Sequence, residues 1–216
     1  MDKEKLFKDA QDIIMKSDNN GVEEVTRRAL SEGIDPLEMI NEGFRVGITM
    51  VGELFERGEV FLPELIQSAE VMKKASGILM AALPKGREAK RGAVVIGTVR
   101  GDIHDIGKIL VVTMLQANGF EVLDLGHDVE TAKFIEKAQE INADVIGTSS
   151  LLTTTMKYQK ELEDELKKSG MKEKIKTIVG GAPVTRRWAD RIGADAYAEN
   201  ASEAVRKVES LLGIKE

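Results

Sequence analysis

Cysteine is absent from this 216-residue chain. That excludes a disulfide framework and any thiolate metal site, and it suits a reducing compartment. Histidine is almost absent. Only His104 and His127 occur, so any imidazole chemistry falls on one of these two. Basic charge is not in excess: 31 Lys and Arg stand against 37 Asp and Glu, a formal net charge of −6. A nucleic-acid binder carries a basic stripe, and none stands out here. No apolar run reaches membrane-spanning length, and no signal-peptide pattern is visible. A soluble, cytoplasmic protein with no nucleic-acid partner and no membrane partner is therefore expected. The dinucleotide fingerprint GxGxxG and the P-loop pattern are both missing, which makes a nucleotide-phosphate site a weak reading.

What is present divides into two textures. Hydrophobic residues make up 42% of the chain and charged residues 31%, enough apolar mass for two compact domains. Residues 1–83 read as helices. Leu6, Phe7, Ala10, Ile13 and Ile14 recur at helical spacing. Asp35-Pro36-Leu37-Glu38 is a helix start, with Asp35 as cap, Pro36 at the first helical position and Glu38 completing a capping-box variant. The following helix presents Leu37, Ile40, Phe44, Ile48, Val51 and Phe55. Another begins near Pro63, with Leu65, Ile66, Ala69, Met72 and Leu79 expected on one face. Four amphipathic helices with short connections predict a four-helix bundle.

Residues 84–91 mix Pro, Gly and charge with no apolar face, as a linker does. Beyond them the period changes. Ala93–Val99 is a continuous apolar run, as a buried parallel strand requires. Further strands are expected at Phe120–Leu125, Asp144–Ser149, Lys176–Val179 and Ala194–Ala198, with helices between them and a last helix at about Ala201–Leu212. The expected architecture is α/β: the N-terminal bundle, then a Rossmann-like, doubly wound, five-stranded parallel sheet over residues 92–216. Ligands of such sheets sit beyond the carboxyl ends of the strands.

Three strand-end loops carry chemistry-bearing residues. The first is Gly101-Asp102-Ile103-His104-Asp105-Ile106-Gly107. Its ordinary explanation is a helix start, with Asp as cap and Gly for the turn. A metal-ligand explanation also has a physical basis. A neutral imidazole binds a metal through one nitrogen and needs a carboxylate on the other to fix its tautomer. Asp102 is placed for that role. One His is too few for a protein-built zinc site, but enough where a macrocycle supplies the other ligands. The second loop, Ser149–Met156, holds five hydroxyls in seven residues; it would serve a polar ligand or simply cap a helix. The third, Gly180-Gly181-Ala182-Pro183, lets a ligand approach the backbone, or is just a turn. His127, in a strand-end loop, is left out of the ligand set, and Met72 and Met80 are read as core fillers.

The combination is more specific than any one loop. D-x-H-x-x-G spans Asp102–Gly107, Ser149-x-Leu151 begins after a gap of 41 residues, and Gly180-Gly181 after a further 28. This resembles the signature of cobalamin-binding domains that hold the cofactor with its own base displaced, as in methionine synthase and the corrinoid proteins of methylotrophic methyltransferase systems. The helical half takes part, because Gly52–Pro63 resembles that family's cap segment.

The resemblance implies a cofactor, cobalamin or a related corrinoid, whose cobalt passes through a methylcobalt form. His104 is then the lower axial ligand. Asp102 accepts the other imidazole proton, and Thr155 completes the relay where methionine synthase has Ser. Gly101, Ile103, Asp105, Ile106 and Gly107 line the same loop. Ser149, Leu151 and Thr153 match positions around the nucleotide tail, with Gly180, Gly181 and Ala201 leaving room for it. Phe55 and Leu62 would cover the upper face. The implied function is methyl carriage between a substrate-specific methyltransferase and an acceptor methyltransferase, dependent on coenzyme M or tetrahydrofolate. A reductive activation protein restores the cofactor, and the chain alone has no turnover. The segments Gly180–Thr185, Trp188–Asp190 and Ala198–Ala201 look most like corrinoid proteins serving methylated amines, quaternary amines included, as in methylamine metabolism and methanogenesis. Two other functions share the sheet domain: a cobalamin-dependent regulator, and the small subunit of an adenosylcobalamin mutase.

Overall fold

The computed structural model describes residues 3–83 and 91–214. The chain falls into two compact units, Met1–Lys90 with Gln116–Gly119, and Arg91–Leu115 with Phe120–Glu216. Residues 84–90 of the expected linker lie outside the described residues. Arg91, the last residue of that stretch, packs within the second unit: its guanidinium meets Glu209 at 2.8 Å and lies 5.1 Å from the centre of the Phe120 ring.

The first unit contains α1 (Lys3–Met15), α2 (Gly21–Ser31), α3 (Pro36–Glu38), α4 (Arg45–Glu56) and α5 (Leu62–Ala81). Between α3 and α4 runs a π-helical stretch, Met39–Phe44, with right-handed helical dihedrals at both joins. The three pieces therefore form one rod, and the unit has four rods. Asp35 caps this rod as its sequence implies, accepting the Leu37 N–H at 2.8 Å, with Pro36 in the first turn. Glu38 lies against the Lys3 ammonium.

Leu6, Ala10, Ile14, Phe44, Ile48, Leu65, Met72 and Leu79 are all buried. One expectation for α5 is corrected: Ile66 is exposed and Ser68 is buried. The inward stripe is Leu65, Ser68, Met72, Ala75 and Leu79, which keeps the alternating three-and-four spacing that Ile66 breaks. Ser68 tolerates burial because its hydroxyl donates to the Ile14 carbonyl at 2.9 Å and meets Ser17 Oγ at 3.0 Å.

The second unit holds five parallel strands: β1 (Ala93–Thr98), β2 (Glu121–Asp124), β3 (Val145–Ser149), β4 (Lys176–Gly180) and β5 (Ala196–Tyr197). Their order is β2-β1-β3-β4-β5. The connecting helices are α6 (Ile106–Ala117), α7 (Thr131–Glu140), α8 (Lys157–Lys168), α9 (Arg186–Ile192) and α10 (Ala201–Leu211). Val95 and Ile146 are register partners on one face of the sheet. There they bury Phe134 and Ala138 of α7 and Leu162 and Leu166 of α8. Each large side chain so buried contributes roughly 1.5–3 kcal/mol. The strand order reverses direction between β1 and β3. In sheets of this kind the carboxyl ends at such a reversal border the ligand crevice.

Candidate functional site

Loops from β1 and β3 meet at that crevice. The loop after β1 turns at Gly101, whose φ of +74° favours glycine. Asp102 then points inward and is fully buried. One carboxylate oxygen, Oδ1, accepts both the His104 ring Nδ1–H at 2.8 Å and the His104 backbone N–H at 3.2 Å. The other, Oδ2, accepts the Leu151 N–H at 2.8 Å, the Leu152 N–H at 3.1 Å and the Thr155 hydroxyl at 2.8 Å. All three of the latter donors come from the loop after β3.

Burial alone pushes the Asp102 carboxyl up. Hydrogen bonds from the His104 ring, the Thr155 hydroxyl and the backbone of His104 and Leu151 more than reverse this and hold it at about 2. The group is therefore a carboxylate, which can only accept hydrogen bonds, so it fixes the imidazole with its proton on Nδ1. The His104 side chain is 47% exposed, and its Nε2 lone pair is the one left for a ligand.

The loop is tied down on two more sides. Thr98 Oγ1 donates to the His104 carbonyl at 3.1 Å. Asp128, in the loop after β2, accepts the Gly101 N–H at 2.7 Å and gives its own N–H to the Asp102 carbonyl at 3.0 Å. Apolar side chains flank the imidazole on both loops and face solvent: Ile103 is 68% exposed and Ile106 72%, with Leu151 and Leu152 at 41% and 40%. Four large exposed apolar side chains on the loops around His104 mark a surface built to be covered.

The structure thus brings Asp102, His104 and Thr155 into one connected group. Ser149 and Gly180 end β3 and β4 as register partners. A Cβ added at Gly180 would meet only the Ala198 carbonyl, at a tight 3.3 Å. Gly181 has a different reason to be glycine. Its φ is +124°, and a Cβ there would lie 1.9 Å from the Ser150 carbonyl oxygen. Thr153 is exposed in the turn before α8, and Ala201 opens α10 behind the Asn200 cap. Asp105 is half-buried, while a Cβ at Gly107 would meet nothing within 4 Å. Phe55 and Leu62 are half-buried at the end of α4 and the start of α5 in the helical unit. Four contributors were missed in the sequence: Ser150, Leu152 through its N–H, Thr98 and Asp128. Only Ser150 had a signal, as one of the five loop hydroxyls.

Among the described residues, no group of three or more His, Cys, Asp or Glu side chains could hold a metal. None of their helices is long and apolar enough to cross a membrane. A metal at His104 has to arrive with its other ligands already in place.

Comparison with known proteins gives the family. A B12-binding domain model matches residues 92–206, and a second B12-binding domain model matches residues 6–80. The chain is 50% identical to dimethylamine corrinoid protein 2 of Methanosarcina acetivorans, over 97% of each chain. The chain belongs to the B12-binding corrinoid proteins. Trimethylamine corrinoid protein 2 of the same organism is 46% identical, covering 97% of this corrinoid protein and 98% of its relative. In three dimensions the methanol:cobalamin methyltransferase complex of Methanosarcina barkeri aligns with a TM-score of 0.81 and 29% identity, over 99% of this chain and 81% of that one. The residues present fit a corrinoid. His104 offers a single nitrogen, and the exposed apolar side chains suit the face of a macrocycle.

Proposed function

We propose that this corrinoid protein carries a methyl group between a substrate-specific methyltransferase acting on a methylated amine and a second, acceptor methyltransferase. The observation that carries the proposal is the Asp102–His104 pair. A buried carboxylate holds Nδ1, which leaves Nε2 facing outward as a lower ligand. The bound corrinoid supplies a cobalt centre that accepts and releases the methyl group. His104 would hold that cobalt, and Asp102, by keeping the ring proton on Nδ1, would leave the Nε2 lone pair to the metal as a stronger donor. Thr155 steadies the far oxygen of Asp102. Ile103, Ile106, Leu151 and Leu152, apolar and exposed, would pack against the macrocycle and exclude water there. Gly180 and Ser149, at the strand ends, would border the nucleotide tail.

Support for the carrier role comes from relatives named as dimethylamine and trimethylamine corrinoid proteins that match nearly end to end. The partners follow from the chemistry: an amine-specific methyltransferase, an acceptor methyltransferase dependent on coenzyme M or tetrahydrofolate, and a reductive activation protein, all in the cytoplasm. The test is reconstitution with a corrinoid, then incubation with methyltransferases specific for dimethylamine, trimethylamine, a quaternary amine and methanol. Methylation read by absorbance is expected with an amine enzyme. Methylation by the methanol enzyme alone would overturn the amine assignment.

A further inference from the structure

Thr155 has one hydroxyl proton and two acceptors within reach. Its Oγ1 lies 2.8 Å from Asp102 Oδ2 and 2.9 Å from the Leu152 carbonyl. Only the first of these bonds supports the His104 carboxylate. Ser150 stands beside the choice. Its Oγ is 2.8 Å from Thr155 Oγ1 and 3.1 Å from the same Leu152 carbonyl. Both residues are buried, Ser150 completely, so no bulk water substitutes for either hydroxyl.

We infer that Ser150 is a positioning residue that directs the Thr155 proton onto Asp102, extending the His104 hydrogen-bond chain to a fourth side chain. The inference rests on the proposed role of His104 as lower ligand. A proton donated by Ser150 to the Leu152 carbonyl satisfies the rival acceptor. A proton donated to Thr155 Oγ1 fills that oxygen's acceptor site and polarises its O–H toward Asp102. Both arrangements leave the Thr155 proton on the carboxylate, where the charged acceptor makes the stronger bond. The Ser150 backbone is well held for this task. Its N–H donates to the Gly180 carbonyl at 3.1 Å, and the Gly181 backbone packs so closely that a Cβ at 181 would lie 2.9 Å from the Ser150 nitrogen.

The consequence has a sign. With Ser150 present, Oδ2 keeps all three of its donors, and the carboxylate charge is shared away from Oδ1. Without the Ser150 hydroxyl, the Leu152 carbonyl competes for the Thr155 proton. Asp102 then pulls harder on the His104 Nδ1–H, and the ring becomes a stronger donor through Nε2. Ser150 thus weakens lower ligation slightly, and Thr155 is its only route to do so.

Nuclear magnetic resonance of the cofactor-free chain, labelled at histidine nitrogen, tests this directly. Ser150→Ala moves the His104 Nδ1–H proton resonance downfield. Thr155→Val moves it further in the same direction. Ser150→Ala added to Thr155→Val moves it no further, because the route is gone. Ser150→Cys, which keeps a weaker donor, falls between wild type and Ser150→Ala. In the corrinoid-loaded protein, Ser150→Ala enlarges the coupling of the His104 nitrogen to cobalt(II) in the electron paramagnetic resonance spectrum. An unmoved proton resonance in Ser150→Ala, or an equal shift with and without Thr155, overturns the inference. A wild-type holoprotein with no histidine coupling overturns the lower-ligand reading instead, whatever the cofactor-free spectra show.

Discussion

Asp102 Oδ1 accepts two hydrogen bonds from the same residue, one from the His104 ring at 2.8 Å and one from the His104 backbone at 3.2 Å. The backbone bond shapes the loop as an Asx-type turn. The ring bond orients the imidazole. One oxygen thus couples the path of the chain to the direction of Nε2, which is why a spacing of two residues suffices.

Asp102→Asn separates these duties. The amide keeps one acceptor oxygen, but its NH₂ faces donors that need acceptors. A buried unsatisfied group costs about 1–3 kcal/mol, and urea denaturation should show a loss of that order. The corrinoid stays bound, because the strand-end space at Gly180 is untouched. Ligation by His104 weakens, so the cobalt(II)/cobalt(I) midpoint potential moves to a less negative value. An unchanged potential in spectroelectrochemical titration would leave Asp102 as a turn former only.

Acid sensitivity follows from the same carboxylate. Its pKa is lowered from 3.8 to about 2 in the folded chain. As pH falls, the unfolded chain takes up the proton first. The stability Asp102 confers is complete above pH 4 and fades between roughly 4 and 2, a span worth about 2 kcal/mol. Denaturation of wild type and Asp102→Asn at pH 5 and pH 3 measures it. The gap between the two proteins narrows at the lower pH, and a constant gap contradicts the assignment.

The paired glycines should behave differently. Gly181→Ala places a methyl group 1.9 Å from the Ser150 carbonyl oxygen, at a φ of +124°. A loss of about 3 kcal/mol or more is expected, read as a drop in melting temperature. Gly180→Ala meets only the Ala198 carbonyl, at 3.3 Å. Its stability changes by no more than about 1 kcal/mol, while retention of the corrinoid through gel filtration falls. The reverse pattern would mean that Gly180 is the structural glycine and that the nucleotide tail lies elsewhere.

The central strands β1 and β3 were legible because buried parallel strands are continuous apolar runs, and each observed strand falls within or no more than a residue beyond its expected span. The Asp102–His104 pair was legible because it is local. Ser150 was not. Strand alternation sends Ser149 and Ser150 to opposite sides, and only the fold decides which one meets Thr155. Asp128 lies 27 residues from the Gly101 it holds, with nothing in its neighbourhood to single it out. The π-helical stretch keeps nearly the same apolar spacing as an ordinary helix, so periodicity does not reveal it. Ile66 looked like core because hydrophobicity was weighed above spacing. Ser68 holds the inward position through hydrogen bonds that only tertiary contact supplies.

The central claim, that His104 is the protein's ligand to the corrinoid cobalt, is tested most directly by electron paramagnetic resonance of the cobalt(II) protein labelled with ¹⁵N-histidine. Wild type should show coupling to one histidine nitrogen, and His104→Ala should bind the corrinoid yet lose that coupling, while His127→Ala keeps it. Coupling that persists in His104→Ala, or that is absent from the wild type, contradicts the account.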